Sequence, residues 1–450
     1  MSFPRYPDYK DAGVEWLGKV PGHWHISKLK HFTHFVGGGT PSRDKLEFWN
    51  GDIPWVSPKD MKSERITGAE ECITEEGLLS SSSSLIAKDR VLMVVRSGIL
   101  KHTIPVAIND VPVALNQDMK ALKFAREKCL SSFFWRWVQG LNDRLLLAWS
   151  KPGATVDSIE HDYLAETRIP LPPIDEQLQI TLFLESETAK IDGLMAEQEK
   201  LIALLKEKRQ AVIAHAVTKG LDSTVPMKDS EIEWLGEVPA DWAMKRLKNI
   251  SSFITVGVVV NPSEYVAEEG LPFIYGGDIS EGAITWESAR CITREDSEKN
   301  AKTQLSAGDL LTVRVGAPGI TAVVSTECAG GNCASVMLTK SGNFDSDWLC
   351  YAMNSRVVRY QVEVVQYGAA QEQFNISHAI NFWVPTPPRL EQTSIAKFLK
   401  RETGKFDDLI GEAQHAIDLL KERRTALISA AVTGQIDVRG LIKDEQEQAA

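Results

Sequence analysis

Residues 169–222 read IPLPPIDEQLQITLFLESETAKIDGLMAEQEKLIALLKEKRQAVIAHAVTKGLD, and residues 384–437 read VPTPPRLEQTSIAKFLKRETGKFDDLIGEAQHAIDLLKERRTALISAAVTGQID. At a constant offset of 215, 26 of these 54 positions are identical. Shared helical composition would scatter Leu, Lys and Glu. It would not hold Pro-Pro, Glu-Gln and Ala-Val-Thr at fixed distances, so the stretch is one copy of an internal repeat.

The duplication extends outward. YKDAGVEWLGKVPGHWHISKLK (9–30) and MKDSEIEWLGEVPADWAMKRLK (227–248) share 11 of 22 positions at an offset of 218, among them Trp16/Trp234, Pro21/Pro239 and Trp24/Trp242. Between the matched pieces lie blocks of equal length, 24–165 and 242–383, that match only weakly. Echoes survive in IPWVSPKDM (53–61) against LPFIYGGDI (271–279), and in VVRSG (94–98) against TVRVG (312–316). A glycine-alanine turn, Gly153-Ala154 and Gly368-Ala369, precedes each proline run by the same distance. The order is therefore a conserved segment (1–23), a variable domain (24–168), a conserved region (169–222), the repeated segment (223–241), a second variable domain (242–383), a second conserved region (384–437) and a polar tail (438–450). A constant frame with changed faces is what one scaffold reading two different targets would produce.

Within the conserved regions apolar residues alternate in steps of three and four: Ile180, Leu184, Ile191, Leu194, Leu201, Leu205 and Val212, then Ile395, Leu399, Phe406, Leu409, Ala413, Ala416, Leu420 and Leu427. This is a coiled-coil seam. Pro172-Pro173 and Pro387-Pro388 stand just before it, where a missing N–H costs nothing. About 40 residues give a rod of about 60 Å. Two such rods pack antiparallel if the halves are related by a pseudo-twofold axis. Packing of each helix on its own domain is the plainer possibility. Phe183, Ile202, Leu204, Ile213, Phe398, Ile417, Leu419 and Ile428 broaden the stripe beyond a two-helix seam, which suggests docking of helices from a partner.

The variable blocks alternate β-rich runs, RVLMVV (90–95), DLLTVRV (309–315) and GITAVVS (319–325), with Gly/Pro/Ser/Asn clusters, followed by helical stretches at 131–147 and 346–360. The fold class is α+β: two mixed α/β domains joined by two long antiparallel coiled-coil helices. Loops on such a frame are where recognition groups belong.

Composition sets limits. The 450 residues suit two to three domains, and 43% hydrophobic with 25% charged residues excludes a wholly disordered chain. No apolar run approaches a membrane span, and MSFPRYPDYKD is no signal peptide. Six cysteines without a CxxC pair fit a reducing cytoplasm. The net charge is −11; the first variable block carries 18 Lys/Arg against 17 Asp/Glu and the second 11 against 15. A plain phosphate binder is disfavoured, and any DNA contact must come from local clustering.

Catalytic signatures are missing. There is no GxxxxGK[ST] loop, no HExxH, no HxE…PCxxC and no Asn/Asp-Pro-Pro-Tyr. Gly37-Gly38-Gly39 lacks phosphate-loop spacing, Asp8/Lys10 and Asp60/Lys62 lack the strand context of a nuclease, and Cys328/Cys333 read as unrelated thiols. The expectation is a protein without catalytic activity.

The duplicated EWLGxVPxxW segment, IPLPPxxEQ running into LLKEKRQAVI, and the ending AVTxGxD together resemble the specificity subunit of type I restriction–modification enzymes. The resemblance implies two target-recognition domains, each reading one half of a bipartite, asymmetric double-stranded DNA site, with the helices setting the gap. It further implies two modification subunits, which bind S-adenosylmethionine, and restriction subunits, which hydrolyse ATP. No cofactor is expected on this chain, and no membrane.

DNA-facing residues would lie on loops of both blocks, with donors and acceptors reaching base edges and cations holding phosphates. In the first block these are Thr40, Ser42, Arg43, Ser57, Lys59, Lys62, Arg96, Ser97, Lys101 and His102; in the second, Asn261, Ser263, Tyr275, Arg314, Gln366, Tyr367, Gln371 and Gln373. Arg96 and Arg314 hold equivalent positions and suit a shared backbone contact. Any one of these residues can equally be a solvated loop group. The competing functions are a recognition half of a fused enzyme acting alone, a decoy or scaffold that pairs with modification subunits without selectivity, and a coiled-coil protein unrelated to DNA. Two departures stand out: the acidic second block, and Gly404 and Gly411 where the first helix has Ala189 and Ala196, which would allow a bend or a close approach.

Overall fold

The structure is a computed structural model that describes residues 3–150, 157–366 and 373–441. Two helices dominate its conserved regions, Ile174–Lys219 and Arg389–Val432. Pro173 and Pro388 sit at their N-caps, where each carbonyl accepts the first helical N–H, from Gln177 at 2.9 Å and from Gln392 at 3.0 Å. The chain divides into two compact units, residues 1–198 with 415–450, and residues 199–414.

In the first unit β1 (Thr33–Gly37), β2 (Arg65–Ile66), β3 (Val91–Val94), β4 (Val106–Asn109) and β5 (Met119–Phe124) form a sheet of order β1-β5-β3-β4-β2. Beside it, Trp49–Val56 pairs parallel with Ala114–Leu115 and antiparallel with Cys72–Ile73. The second unit repeats the plan. There β6 (Ile254–Val256), β7 (Leu310–Thr312), β8 (Thr321–Val323) and β9 (Met337–Thr339) run β6-β9-β7-β8, and Leu271–Ile274 pairs parallel with Asn332–Cys333 and antiparallel with Arg290–Ile292. Blocks with little sequence in common thus share four strands in one order, β2 having no counterpart in the second sheet, because each keeps the same alternation of buried strand and turn.

The helical stretches are each split. Residues 131–149 form α1 (Ser131–Gly140) and α2 (Asn142–Trp149), and 346–366 form α3 (Ser346–Asn354) and α4 (Arg356–Gln366). The first break follows Gly140, where an added Cβ would lie 2.9 Å from the Ser429 nitrogen. The second falls at Ser355, which is extended (ψ 162°) and caps back onto the Ala352 carbonyl at 2.7 Å.

The shared motifs interlock. The buried Trp24 indole donates to Glu176 Oε1 at 2.9 Å, and Trp242 donates to Glu391 Oε2 at 3.0 Å. Gln177 accepts the Leu130 N–H at 2.9 Å and donates to the Pro172 carbonyl at 2.9 Å; Gln392 does the same with Asp345 (2.8 Å) and Pro387 (2.9 Å). The EWLGxVPxxW and PPxxEQ segments are therefore one device: buried polar groups need partners, and these satisfy one another. Each block is also tied off by a two-stranded ribbon, His25–Lys28 with Arg168–Leu171 and Ala243–Arg246 with Trp383–Thr386.

Helical segments pair antiparallel inside each unit. In the first, Trp24 lies against both Glu176 and Gly434, while Asp192 meets Arg424 at 2.9 Å. In the second, Gly220 lies beside Glu391, while Arg209 meets Asp407 at 3.1 Å. The seam is not buried throughout. Ile180, Leu184, Ile191, Ile395, Leu399 and Leu427 are inside, but Leu194, Leu201 and Leu409 remain exposed, since one helix covers only one flank of another.

The docking surplus needs correction. Phe183, Ile213, Ile417 and Ile428 are buried by this chain itself. Phe183 meets Phe3 edge-on at 5.4 Å, Ile428 joins the core around Phe133, Trp137 and Leu141, and Ile213 joins the core around Trp242 and Trp348. The globular domain uses the third side of the helix. Leu204 and Leu419 are exposed; Ile202 and Phe398 are half-buried. The helix continues through Gly404 and Gly411, and among the described residues a Cβ at either would meet nothing within 4 Å.

Candidate nucleic-acid interface

At one end of the first sheet the Gly37-Gly38-Gly39 run lies flat against the neighbouring turn. A Cβ on Gly38 would come 2.0 Å from the Asn116 carbonyl, and one on Gly39 2.4 Å from Ser82 Oγ. Gly39 donates its N–H to the Leu115 carbonyl at 2.8 Å and accepts the Trp55 indole at 2.9 Å. Only glycine permits this approach. In the second unit Gly257, 218 residues after Gly39, would place a Cβ 2.3 Å from the Cys333 carbonyl.

That packing brings several expected residues together. The Thr40 hydroxyl bonds the Gln117 side chain, and Arg96 Nε donates to Asp118 Oδ1 at 2.6 Å. Arg43 bonds both oxygens of Glu71, one at 3.0 Å, while its guanidinium lies 3.9 Å from the Trp49 ring centroid. This pairing raises the Arg43 pKa and lowers that of Glu71. Ser42 is exposed and uses its carbonyl on Trp49. Ser57 caps the turn Pro58–Asp60 through Asp60, its backbone N–H donating at 2.8 Å, and leaves Lys59 exposed beside Glu71. Ser97 caps the turn Gly98–Lys101.

Others stand apart. Lys62 pairs with Glu70 at 3.0 Å and lines a cavity with Ile99, Thr103 and Arg424, close to the long helix. Lys101 and His102 are exposed just beyond Ile99. Sequence reasoning missed Gln117, Asp118, Lys120 and His161. Lys120 Nζ lies 3.0 Å from His161 Nδ1, and burial lowers the lysine pKa. The polar triplet Asn116-Gln117-Asp118 between apolar strands was the legible signal for the first two.

In the second unit Asn261 takes a left-handed conformation (φ 43°) and bonds Glu264 at 2.8 Å, with Ser263 exposed on the same turn. Tyr275 is half-buried with the Arg290 guanidinium 4.3 Å from its ring centroid; burial raises its pKa. The Tyr275 N–H donates to Asp278 at 2.8 Å, as Ser57 does to Asp60. Arg314 donates Nε to the Phe374 carbonyl at 3.2 Å, and burial lowers its pKa. Gln373 is exposed and bridges to Val315. Gln366 ends α4; Tyr367, Gln371 and both glycine-alanine turns lie outside the described residues.

Chemically, Thr40, Gln117 and Asn261 present hydroxyl and amide groups of the kind that read base edges, and Lys59, Arg96 and Arg290 present cations for phosphates. Among the described residues no His/Cys/Asp/Glu group could hold a metal ion, and no helix is long and apolar enough to cross a membrane.

Comparison with known proteins agrees with this architecture. Residues 21–203 match the family described as the type I restriction modification DNA specificity domain. The Escherichia coli type I restriction enzyme EcoR124I/EcoR124II specificity subunit is 41% identical over 229 residues, which is 50% of this chain and 48% of that one. The chain thus spans about half the length of that relative. The MjaVIII specificity subunit of Methanocaldococcus jannaschii is 23% identical over 94% of this chain and 95% of its own. A solved chain, from work on complex assembly and conformational transition of the type I R-M system, shares the fold with a TM-score of 0.70, at 17% identity over 92% of this chain and 98% of its own. Residues 21–203 thus match the type I restriction modification DNA specificity domain, and along most of its length the chain is similar to type I restriction enzyme specificity subunits and shares the fold of a type I R-M chain.

Proposed function

We propose that this chain is the non-catalytic, DNA-reading subunit of a type I restriction–modification complex working in the cytoplasm. Residues 24–168 read one half of a bipartite, asymmetric duplex site and residues 242–383 the other, while the long helices set the gap. Methyl transfer and cleavage belong to modification and restriction subunits that it scaffolds. The observation that carries this reading is one fold built twice, with identity kept in the frame and lost in the loops. Contacts come from the Thr40–Gln117–Arg96 cluster with Ser42, Arg43, Ser57, Lys59 and Ser97, and from Asn261, Ser263, Tyr275, Arg314, Gln366, Tyr367, Gln371 and Gln373. Lys62, Lys101 and His102 touch the flanking backbone. Ile202, Leu204, Phe398 and Leu419 are the apolar groups left for modification subunits. With 11 Lys/Arg against 15 Asp/Glu, the second block leans on the modification subunits to hold the DNA.

A gel shift with random duplex DNA, with and without co-expressed modification subunits, tests the reading. Sequence-selective binding by the complex is expected. Binding without preference would instead support a scaffold or decoy, and no binding at any salt concentration a coiled-coil protein unrelated to DNA.

A further inference from the structure

One ion network is built twice, where each recognition fold meets the long helices. In the first unit Arg424, on the second long helix, donates Nη2 to Glu64 Oε1 at 2.9 Å and Nε to Asp192 Oδ1 at 2.9 Å. Glu64 lies in the turn entering β2, and Asp192 lies on the first long helix. Gln139 of α1 reaches the same Glu64 oxygen at 3.1 Å. In the second unit Arg209, on the first long helix, donates Nη1 to Glu281 Oε1 at 2.8 Å, and its Nε stands 3.1 Å from Asp407. Gln210 supports Glu281 at 3.2 Å.

The arginine and the aspartate of each network correspond at the repeat offset. Arg209 and Arg424 differ by 215, as do Asp192 and Asp407, and the repeat thereby exchanges which helix supplies each charge. Glu64 and Glu281 fall inside the blocks that otherwise diverged, each after a serine and shortly before Cys-Ile-Thr, at 72–74 and 291–293. The arginine side chains are sheltered, with 23% and 18% of their surface exposed, while the helix carboxylates Asp192 and Asp407 are exposed, so salt reaches the network from the carboxylate side. A guanidinium is a rigid fork, and one that binds a domain carboxylate and a helix carboxylate together restricts the angle between them.

We propose that Arg424–Glu64 and Arg209–Glu281 are positioning pairs that lock the tilt of each recognition domain on its own helix pair, and so make the chain intolerant of DNA gaps one base pair too long or too short. The proposal rests on the two-half-site reading above. One base pair shifts a half-site by about 3.4 Å and rotates it by about 35°. A domain free to tilt absorbs part of that change; a locked one does not.

The test uses the full chain assembled with modification subunits and three duplexes carrying its methylated site, with the native gap and with one base pair added or removed. Glu64→Gln and Glu281→Gln are each expected to reduce the affinity ratio of native to altered gap by about three- to tenfold, the range for a broken ion network. Base preference within each half stays as it was, and Glu64→Asp, which keeps the charge, retains most of the ratio. An unchanged ratio in both glutamine variants at wild-type melting temperature overturns the proposal, as does an equal loss on all three duplexes, which is the mark of a merely structural pair. If a variant fails to fold, Arg424→Lys replaces Glu64→Gln and Arg209→Lys replaces Glu281→Gln: a reduced ratio supports the lock, and an unchanged ratio overturns it. A wild-type complex without any gap preference would overturn the two-half-site reading instead.

Discussion

Glu176 accepts three hydrogen bonds in the first unit, from Tyr6 (2.5 Å), His23 (2.7 Å) and Trp24 (2.9 Å), whereas its counterpart Glu391 accepts, among the described residues, the Trp242 indole alone. Leaving buried donors unpaired costs about 1–3 kcal/mol each. Glu176→Ala should therefore destabilise by about 3 kcal/mol and Glu391→Ala by about 1, measured as denaturation midpoints; equal losses would contradict the asymmetry. Burial raises the Glu391 pKa, against a smaller lowering by the Trp242 bond. Its folded form holds a proton more tightly than its unfolded form, so stability falls as pH rises from the ordinary carboxylate value through the raised one. Glu391→Gln should then melt above wild type at neutral pH and lose that advantage below the window. At the proposed interface Glu71 ties down Arg43. Glu71→Gln should free a cation, raise the affinity of the complex for DNA and steepen its salt dependence.

Glycines separate two kinds of element. Gly38→Ala forces a Cβ onto the Asn116 carbonyl and should cost about 2 kcal/mol or more while disordering the Thr40–Gln117 contact. Gly404→Ala and Gly411→Ala meet open space in a helix and should each stabilise by about 0.5–1 kcal/mol, read by urea melts. The heptad pattern announced both long helices, but not the breaks at Leu141 and Ser355, which depend on what those helices pack against. Nor could periodicity tell that Phe183, Ile213, Ile417 and Ile428 face inward. An apolar helix position looks the same whether its cover is this chain or another.

At the scale of the molecule, the repeat predicts modular behaviour. Replacing residues 24–165 by the block of a relative should alter one half of the methylated motif in host methylome sequencing, and a change in both halves would refute modular reading. Inserting seven residues in both helices should lengthen the gap with both halves unaltered; unchanged spacing would argue against the ruler role.

The sequence by itself determined the duplication, the frame residues and the long helices, because fixed offsets and a 3.5-residue rhythm are properties of one dimension. It also marked Thr40, Ser42, Arg43, Ser57, Lys59 and Arg96 as polar residues at turns between apolar runs, which makes them candidates for base and phosphate contacts. Only the tertiary structure decided that Thr40 meets Gln117, that Arg43 is held by Glu71, and that Lys62 lines a cavity with Arg424. The partners in the first two contacts are separated by 77 and 28 residues in sequence, and the two residues that share the cavity by 362. No local pattern encodes which distant charges and amides become neighbours. Chain folding sets that, by burying the strands and leaving their loops side by side.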